Sequence, residues 1–356
     1  MARNPKTGAL EPAKNAEELL SYVPKVKREV DLEKIVTVFN KDSSNLLPQD
    51  WEAIVGSVWL AYHGGYDAII VSHGTDTMAY SASAVAFALR NINRPIVFTG
   101  SQSIPDKLGS DAAFNLENAF RVAMSGIAEV VISFGHEVHR AVRATKIHES
   151  DYYVFGSPIT GPLIKIRDTL EIQQKIRMRK ENLEPDLNYW GYFASGILSV
   201  RSDPPMEPWM IEKLLLAQGR LSYSERSALT AKDASVMRGI VLEALGAGNI
   251  PEQYHDLIRT AVEDYNVPVI VTSPFIGGSA AGMGTYASGL GALKAGAISA
   301  GDMTVPAATV KLSWALSRID DQLESGKLLE ENALASVAKI FRTNYIGEVT
   351  LPKKHR

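Results

Sequence analysis

Short continuous apolar runs alternate along this chain with stretches in which apolar residues recur every third or fourth position. Residues 68–71, "AIIV", read as a buried strand, and from Met78 onward Met78, Ala82, Val85 and Leu89 fall on one helical face. The unit is strand, polar turn, helix. It recurs where "IVTVF" (35–39) leads through "NKDSSNLLP" into the helix "QDWEAIVGSVWLAY". It recurs again where "PIVFTGSQ" leads into "SDAAFNLENAFRVAM", whose Ala113, Leu116, Phe120 and Ala123 mark one face, with the strand "VVISF" (130–134) after it. Continuous apolar strands alternating with amphipathic helices imply an α/β fold with a mainly parallel sheet and flanking helices.

Residues 167–187, "RDTLEIQQKIRMRKENLEPDL", are charged and carry Pro185 near their end. They read as an inter-domain connector, or alternatively as an exposed helix. Beyond them comes a second α/β series: "GILSV", "EPWMIEKLLLAQ", "GIVLEAL", "PEQYHDLIRTAVEDY" and "VPVIVTS". The expected division is an N-terminal α/β domain over 1–166, a linker over 167–187 and a smaller C-terminal α/β domain over 188–356. The polar stretch 219–238 reads as an insertion or mobile loop.

Composition narrows the partners. The 356 residues carry a formal net charge of −3 with no Lys/Arg block, which argues against nucleic acid or an anionic membrane as the main partner. The chain has no cysteine, which removes disulfide frameworks, thiolate metal sites and cysteine nucleophiles together. The opening "MARNPKTGALEP" lacks an apolar signal core and no run is long enough to span a bilayer, so the expected location is cytoplasmic. His136 and His139 in "GHEVHRAV" are not spaced as a metal-binding H-E-x-x-H, and the expectation is no metal there. The Gly-rich "IGGSAAGMGTYASGLG" lacks the lysine of a phosphate loop and reads as a turn with close helix packing.

The chemistry gathers where strands end. In a parallel sheet, ligands bind beyond the carboxyl ends of the strands, where the amides of helix starts also point. "SHGTDT" places His73, Thr75, Asp76 and Thr77 at such an end; "NKDSS" supplies Ser43 and Ser44, and "TGSQ" supplies Ser101 and Gln102. Helix capping is the competing explanation, since Ser, Thr and Asp are preferred N-caps. One cap accounts for one residue, not for adjacent Thr75 and Asp76 followed by a second Thr. "RATKIHES" adds Lys146, which beside Asp76 would be a charged relay and not a free base; a surface salt bridge is the alternative.

At "HGTDTM", "RATK" and "GAGN", together with "TGALEPAKNAEELLSYVP", "FNKDSSNLLPQDW", "RPIVFTGSQ", "SDAAFNLENA" and "DMTVPAATVKLSWALS", the chain resembles the bacterial-type L-asparaginase/glutaminase family over nearly its whole length. The resemblance implies hydrolysis of the side-chain amide of L-asparagine through a threonine acyl-enzyme, with no metal or organic cofactor. It makes Thr75, Asp76 and Lys146 one catalytic group, with Asp76 also holding the substrate's α-ammonium. It assigns substrate binding to Ser43 and Ser44 at the α-carboxylate and to Asn249 in a neighbouring subunit's pocket. A homodimer or homotetramer is implied by that sharing.

One departure stands out. Members of the family open with an apolar strand and Thr-Gly-Gly-Thr-Ile, whose first Thr is the usual nucleophile, and a following loop carries a catalytic Tyr. Here Met1 stands about where that Ile would be, and "ARNPKTGALEPAKN" holds no Tyr. The resemblance therefore implies either a start upstream of Met1 or a catalytically altered member, with activity impaired in the chain as written. Two alternatives come with it. One is an inactive aspartate-binding member. The other is an ammonia-releasing subunit of an amidotransferase acting on misacylated tRNA, which would call for an extra N-terminal module and a tRNA-facing surface.

Overall fold

The computed structural model describes residues 2–3, 10–11, 16–181, 187–228 and 236–351. The chain divides into two compact units, Met1–Gly191 and Tyr192–Arg356.

The first unit holds helices α1 (Pro48–His63), α2 (Met78–Ala88) and α3 (Ala112–Ala123). Its strands are β1 (Ile69–Ser72), β2 (Ile96–Thr99), β3 (Val130–Phe134), β4 (Glu137–Arg140), β5 (Ile164–Ile166) and β6 (Leu170–Ile172). They form one sheet in the order β6-β5-β4-β3-β2-β1. β1, β2 and β3 run parallel, whereas β3 to β6 pair antiparallel in succession. The change of sense lies at Gly135, whose φ of 57° lets the chain reverse within two residues. A parallel return would need a crossover of about a dozen residues, for which the sequence leaves no room. The parallel half is where a ligand site is expected.

Helix α2 explains how the sheet is covered. Its sequence "MAYSASAVAFA" is buried at nearly every position, because alanine and serine side chains let neighbouring elements approach from all sides. Helix α3 is one-sided: Ala119, Val122 and Ala123 join Val97, Val131 and Val138 in a core cluster.

Two segments differ from the sequence reading. "IVTVF" does not form a strand, and Ile35, Val36 and Val38 are 41%, 55% and 40% exposed. β-branched residues favour an extended backbone, but a strand exists only with a ladder partner, and none reaches residues 35–39 among the described residues. Residues 167–181, expected to link domains, instead build the first unit. β6 extends the sheet, Ile127 bridges Met178, and the amide of Lys180 bonds Asn93. Residues 182–186 lie outside the described residues.

The second unit carries a fully parallel sheet of β7 (Ile197–Arg201), β8 (Gly239–Glu243), β9 (Val269–Thr272) and β10 (Ile298–Ser299), in that order. Around it lie α4 (Trp209–Gln218), α5 (Val305–Glu324) and α6 (Ala333–Arg342). Ile240, Leu242, Val269 and Val271 pack against Ile211, Leu215, Tyr254 and Ile258. Within 219–238, residues Tyr223–Ala228 form a short helix with Tyr223 and Arg226 buried, and residues 229–235 lie outside the described residues. Among the described residues, no helix is long and apolar enough to cross a membrane.

Candidate functional site

The parallel strands β1 and β2 end in "HGTDT" and "TGSQ", and two glycines let these turns and the Ser43 turn pack closely. A Cβ on Gly74 would sit 2.6 Å from Ser43 Oγ, and one on Gly100 would sit 2.2 Å from the carbonyl oxygen of His73. Real side-chain carbons do not come so near, so any larger residue would separate the turns.

The turn after β1 projects Thr75 and Asp76 toward Lys146, which comes from a small hairpin. Thr145–Lys146 pairs antiparallel with Phe155–Gly156, and the amide of Ile147 bonds the carbonyl of Val154. Lys146 Nζ donates to Asp76 Oδ1 at 2.7 Å and to Thr75 Oγ1 at 3.1 Å, and lies 3.2 Å from Glu149 Oε2. Thr75 Oγ1 in turn donates to Gln102 Oε1 at 3.2 Å. Burial pulls the Lys146 pKa down, but the hydrogen bonds and charges of Asp76 and Glu149 outweigh it and hold the pKa above the ordinary lysine value. The ammonium is therefore retained at neutral pH, with its side chain 16% exposed beside a half-exposed Asp76.

The capping alternative does not describe this turn. The N-cap residue of α2 is Thr77, and it makes no side-chain cap bond; its hydroxyl donates to the carbonyl of Ser43 at 2.7 Å. Ser43 is thereby held, buried, against the same turn. Ser44 differs: its amide and hydroxyl both donate to Asp42 Oδ1 at 2.9 Å, so Ser44 belongs to a local cap. His73 donates from Nδ1 to the carbonyl of Gly74 at 2.7 Å, and burial lowers its pKa so that it stays neutral. Asn249 lies in the second unit, in the turn after β8, where its Oδ1 accepts from Ser288 Oγ at 3.3 Å.

Sequence reading did not find Glu149 or Asp111. Glu149 lies in a hairpin turn with no signal beyond its distance of three residues from Lys146. Asp111 stands before α3, where it looks like a cap, yet it makes no cap bond. Its carboxylate instead takes the amides of Gln102 and Ser103. Beside it lies a cavity of about 200 Å³ lined by Phe114, His136, Tyr152 and Tyr153 among others.

The histidines of "GHEVHR" serve packing. His136 lies against Phe114 with ring centres 4.8 Å apart and the rings tilted by 59°, and no group of three or more His, Cys, Asp or Glu able to hold a metal occurs among the described residues. His139 is 1% exposed and bonds Ser157 Oγ through Nδ1 at 3.0 Å; burial lowers its pKa from 6.5 to about 4. The folded value is depressed, so the stabilisation is whole above pH 6.5 and is lost as pH falls toward about 4. The full loss is about 3 kcal/mol by the conversion of about 1.4 kcal/mol per pH unit. Denaturant unfolding at pH 7 and pH 4.5, where most but not all of that loss has occurred, should show His139→Gln losing less stability on acidification than the parent by about 2.5 kcal/mol.

Comparison with known proteins identifies the family. Residues 1–178 match the family model described as Asparaginase, N-terminal, and residues 208–329 match the Glutaminase/Asparaginase C-terminal domain. The chain belongs to the asparaginase/glutaminase family. It is 31% identical over 360 residues to the glutamyl-tRNA(Gln) amidotransferase D subunit of Aeropyrum pernix, covering 97% of this chain and 75% of that protein. It is 33% identical over 352 residues to the corresponding amidotransferase protein of Pyrococcus abyssi, covering 97% and 73%. Among solved structures, the thermostable L-asparaginase from Thermococcus kodakarensis matches with a TM-score of 0.77 at 28% identity, covering 98% of this chain and 95% of that one. L-asparaginase I from Vibrio cholerae matches equally well, at 0.77 and 28%, covering 97% and 95%.

Proposed function

We propose that this chain hydrolyses the side-chain carboxamide of a free amino acid, asparagine or glutamine, and releases ammonia. The observation that carries the reading is the ammonium of Lys146 held on Asp76 and on the hydroxyl of Thr75 at the carboxyl end of a parallel sheet. A fixed cation of this kind stabilises the oxyanion that forms when an amide carbonyl is attacked. Asp76, half exposed, offers its carboxylate to the substrate's α-ammonium, and the turn carrying Ser43 lies beside it.

In this reading Thr75 acts as a relay, and its resting hydrogen bonds support that part. Its oxygen accepts from an ammonium, and its hydrogen points to an amide oxygen, which is no base. For Thr75 to attack, Lys146 would have to take that hydrogen, and Asp76 and Glu149 keep Lys146 protonated. In this reading the hydroxyl hydrogen turns to the departing nitrogen as the C–N bond breaks, and Lys146 replaces it. The attacking oxygen comes from water and becomes part of the carboxylate; of the two protons that water gives up, one restores the Lys146 ammonium and the other leaves with ammonia as ammonium. Mass spectrometry of acid-quenched enzyme bears on this directly, since an acyl group on Thr75 would overturn the relay.

Two settings compete for the ammonia. The amidotransferase relatives, at 31% and 33% identity over nearly the whole chain, favour a subunit that hands ammonia to a partner protein. The two L-asparaginase structures favour release to solution. We propose the first as the leading setting. An ammonia assay on the chain alone separates them: turnover on the order of 1 to 10³ per second without a partner would favour the stand-alone enzyme. In either setting the reading includes a homo-oligomer with Asn249 reaching a neighbouring copy, which native mass measurement tests.

Asp76→Ala should weaken aspartate binding by about 30-fold, the effect of losing one charge-assisted contact. Titration calorimetry gives the comparison. Equal affinity in parent and variant, together with no ammonia from either amide, would sink the proposal.

A further inference from the structure

Gln102 occupies a position that the amide-hydrolysis reading leaves unexplained, and its role depends on that reading. A lysine ammonium has donors only, so the hydrogen of Thr75 must go elsewhere, and it goes to Gln102 Oε1. The other end of the same side chain, Nε2, donates to the backbone carbonyl of Glu149. A carbonyl can only accept, so the orientation of the amide is decided by its partners. Gln102 therefore joins the turn after β1 to the hairpin that carries Lys146 and Glu149.

The backbone of Gln102 is fixed just as firmly. Its amide donates to both oxygens of Asp111, at 3.1 and 2.9 Å, and the amide of Ser103 donates to Oδ1 at 3.0 Å. Asp111 is oriented by Asn115, fully buried, whose Nδ2 lies 2.9 Å from Asp111 Oδ2 and 2.9 Å from the carbonyl of Gly100. Asn115 Oδ1 takes the amide of Gly135 at 2.9 Å, which ties the ends of β2 and β3 together.

We infer that Gln102, held by Asp111 and Asn115, is a positioning residue that sets the direction of the Thr75 hydroxyl and holds the Glu149 turn against Lys146. With the hydrogen drawn to Gln102, the free electron pairs of Thr75 face the ammonium. With the carbonyl of Glu149 anchored, its carboxylate remains within reach of Lys146.

The test compares the parent with Gln102→Leu, which keeps the bulk and removes both hydrogen bonds. Ammonia release should fall about 10-fold in kcat with KM within about 2-fold, as for a contact that matters after binding. In a Thr75→Val background the same change should lower kcat by less than about 2-fold, because the hydroxyl it directs is gone, while its effect on the Glu149 turn persists. A second readout does not depend on turnover: the rate of Lys146 acetylation, followed by peptide mass spectrometry, should rise about 3-fold or more as Glu149 is released and the lysine loses a charge partner. Should Gln102→Leu fail to fold, Gln102→Asn, too short by a methylene to span both partners, carries the comparison. Unchanged kcat with unchanged Lys146 reactivity overturns the inference, as does an equal loss in the Thr75→Val background. If the parent releases no ammonia from either amide while Lys146 reactivity rises as stated, the functional reading fails and the positioning role stands.

Discussion

Lys146→Met should lower ammonia release by about 10³-fold while leaving the affinity for aspartate within a factor of about 3, since in the proposed reaction the ammonium serves charge that develops after binding. The expectation comes from where the ammonium points. It holds Asp76 Oδ1 at 2.7 Å and Thr75 Oγ1 at 3.1 Å, so it can stabilise a nascent oxyanion and return a hydrogen to the relay. Methionine keeps most of the side-chain volume in a pocket that is mostly closed and removes only the charge and the donors. In the proposed reading the amino-acid end of the substrate is left to Asp76, whose carboxylate the variant keeps, and to the Ser43 turn, which Thr77 fixes and Gly74 lets pack closely. A kinetic assay with asparagine and glutamine, paired with calorimetry on aspartate, reads both quantities. A variant that keeps more than about a tenth of the parent rate would remove Lys146 from the chemistry and leave it a salt bridge.

Much of this arrangement was legible because it depends on local rules. Strand, turn and helix could be read at 68–90 from a continuous apolar run followed by helical spacing, and the ligand-bearing side of a parallel sheet is set by strand direction alone. The grouping of Thr75, Asp76 and Lys146 needed the family resemblance, because 70 residues separate Asp76 from its lysine. What escaped depends on partners distant in sequence. "IVTVF" has every local mark of a strand, yet lies exposed without a ladder partner among the described residues. The charged run after residue 166 reads in sequence as a connector or an exposed helix, whereas the sheet edge beside β5 accepts its residues Leu170–Ile172. Asp111 resembles a cap in sequence, and only the fold shows that its carboxylate faces backward onto the turn of Gln102. In "PEQYHDLIRTAVEDY" the helix is real but ends in a π-helical turn at Thr260–Asp264, an irregularity with no signature in apolar spacing.

Breaking the buried pair of Lys311 and Glu348 should destabilise the second unit by about 3–5 kcal/mol, the range for a buried charge left without its partner. Lys311 sits in the buried face of α5, and both side chains are wholly shielded from solvent, with Nζ 2.7 Å from Glu348 Oε1 and 2.8 Å from the carbonyl of Thr343. Burial lowers the lysine pKa although Glu348 opposes it, so desolvation is the larger effect on this cation. Glu348 also takes the amides of Tyr345 and Ile346 at 2.9 to 3.0 Å, which locks the segment after α6 onto α5. Lys311→Met and Glu348→Leu should therefore each be costly, whereas the two combined should cost less than the sum by about 2 kcal/mol or more, because no charge is stranded. Trp314, fully buried on the same helix and 5.4 Å from the ring of Tyr345, reports on this segment by fluorescence during denaturant unfolding. Additive losses in the double variant would show that the two charges stabilise the unit through separate contacts, the lysine through Thr343 and the glutamate through the backbone turn it caps.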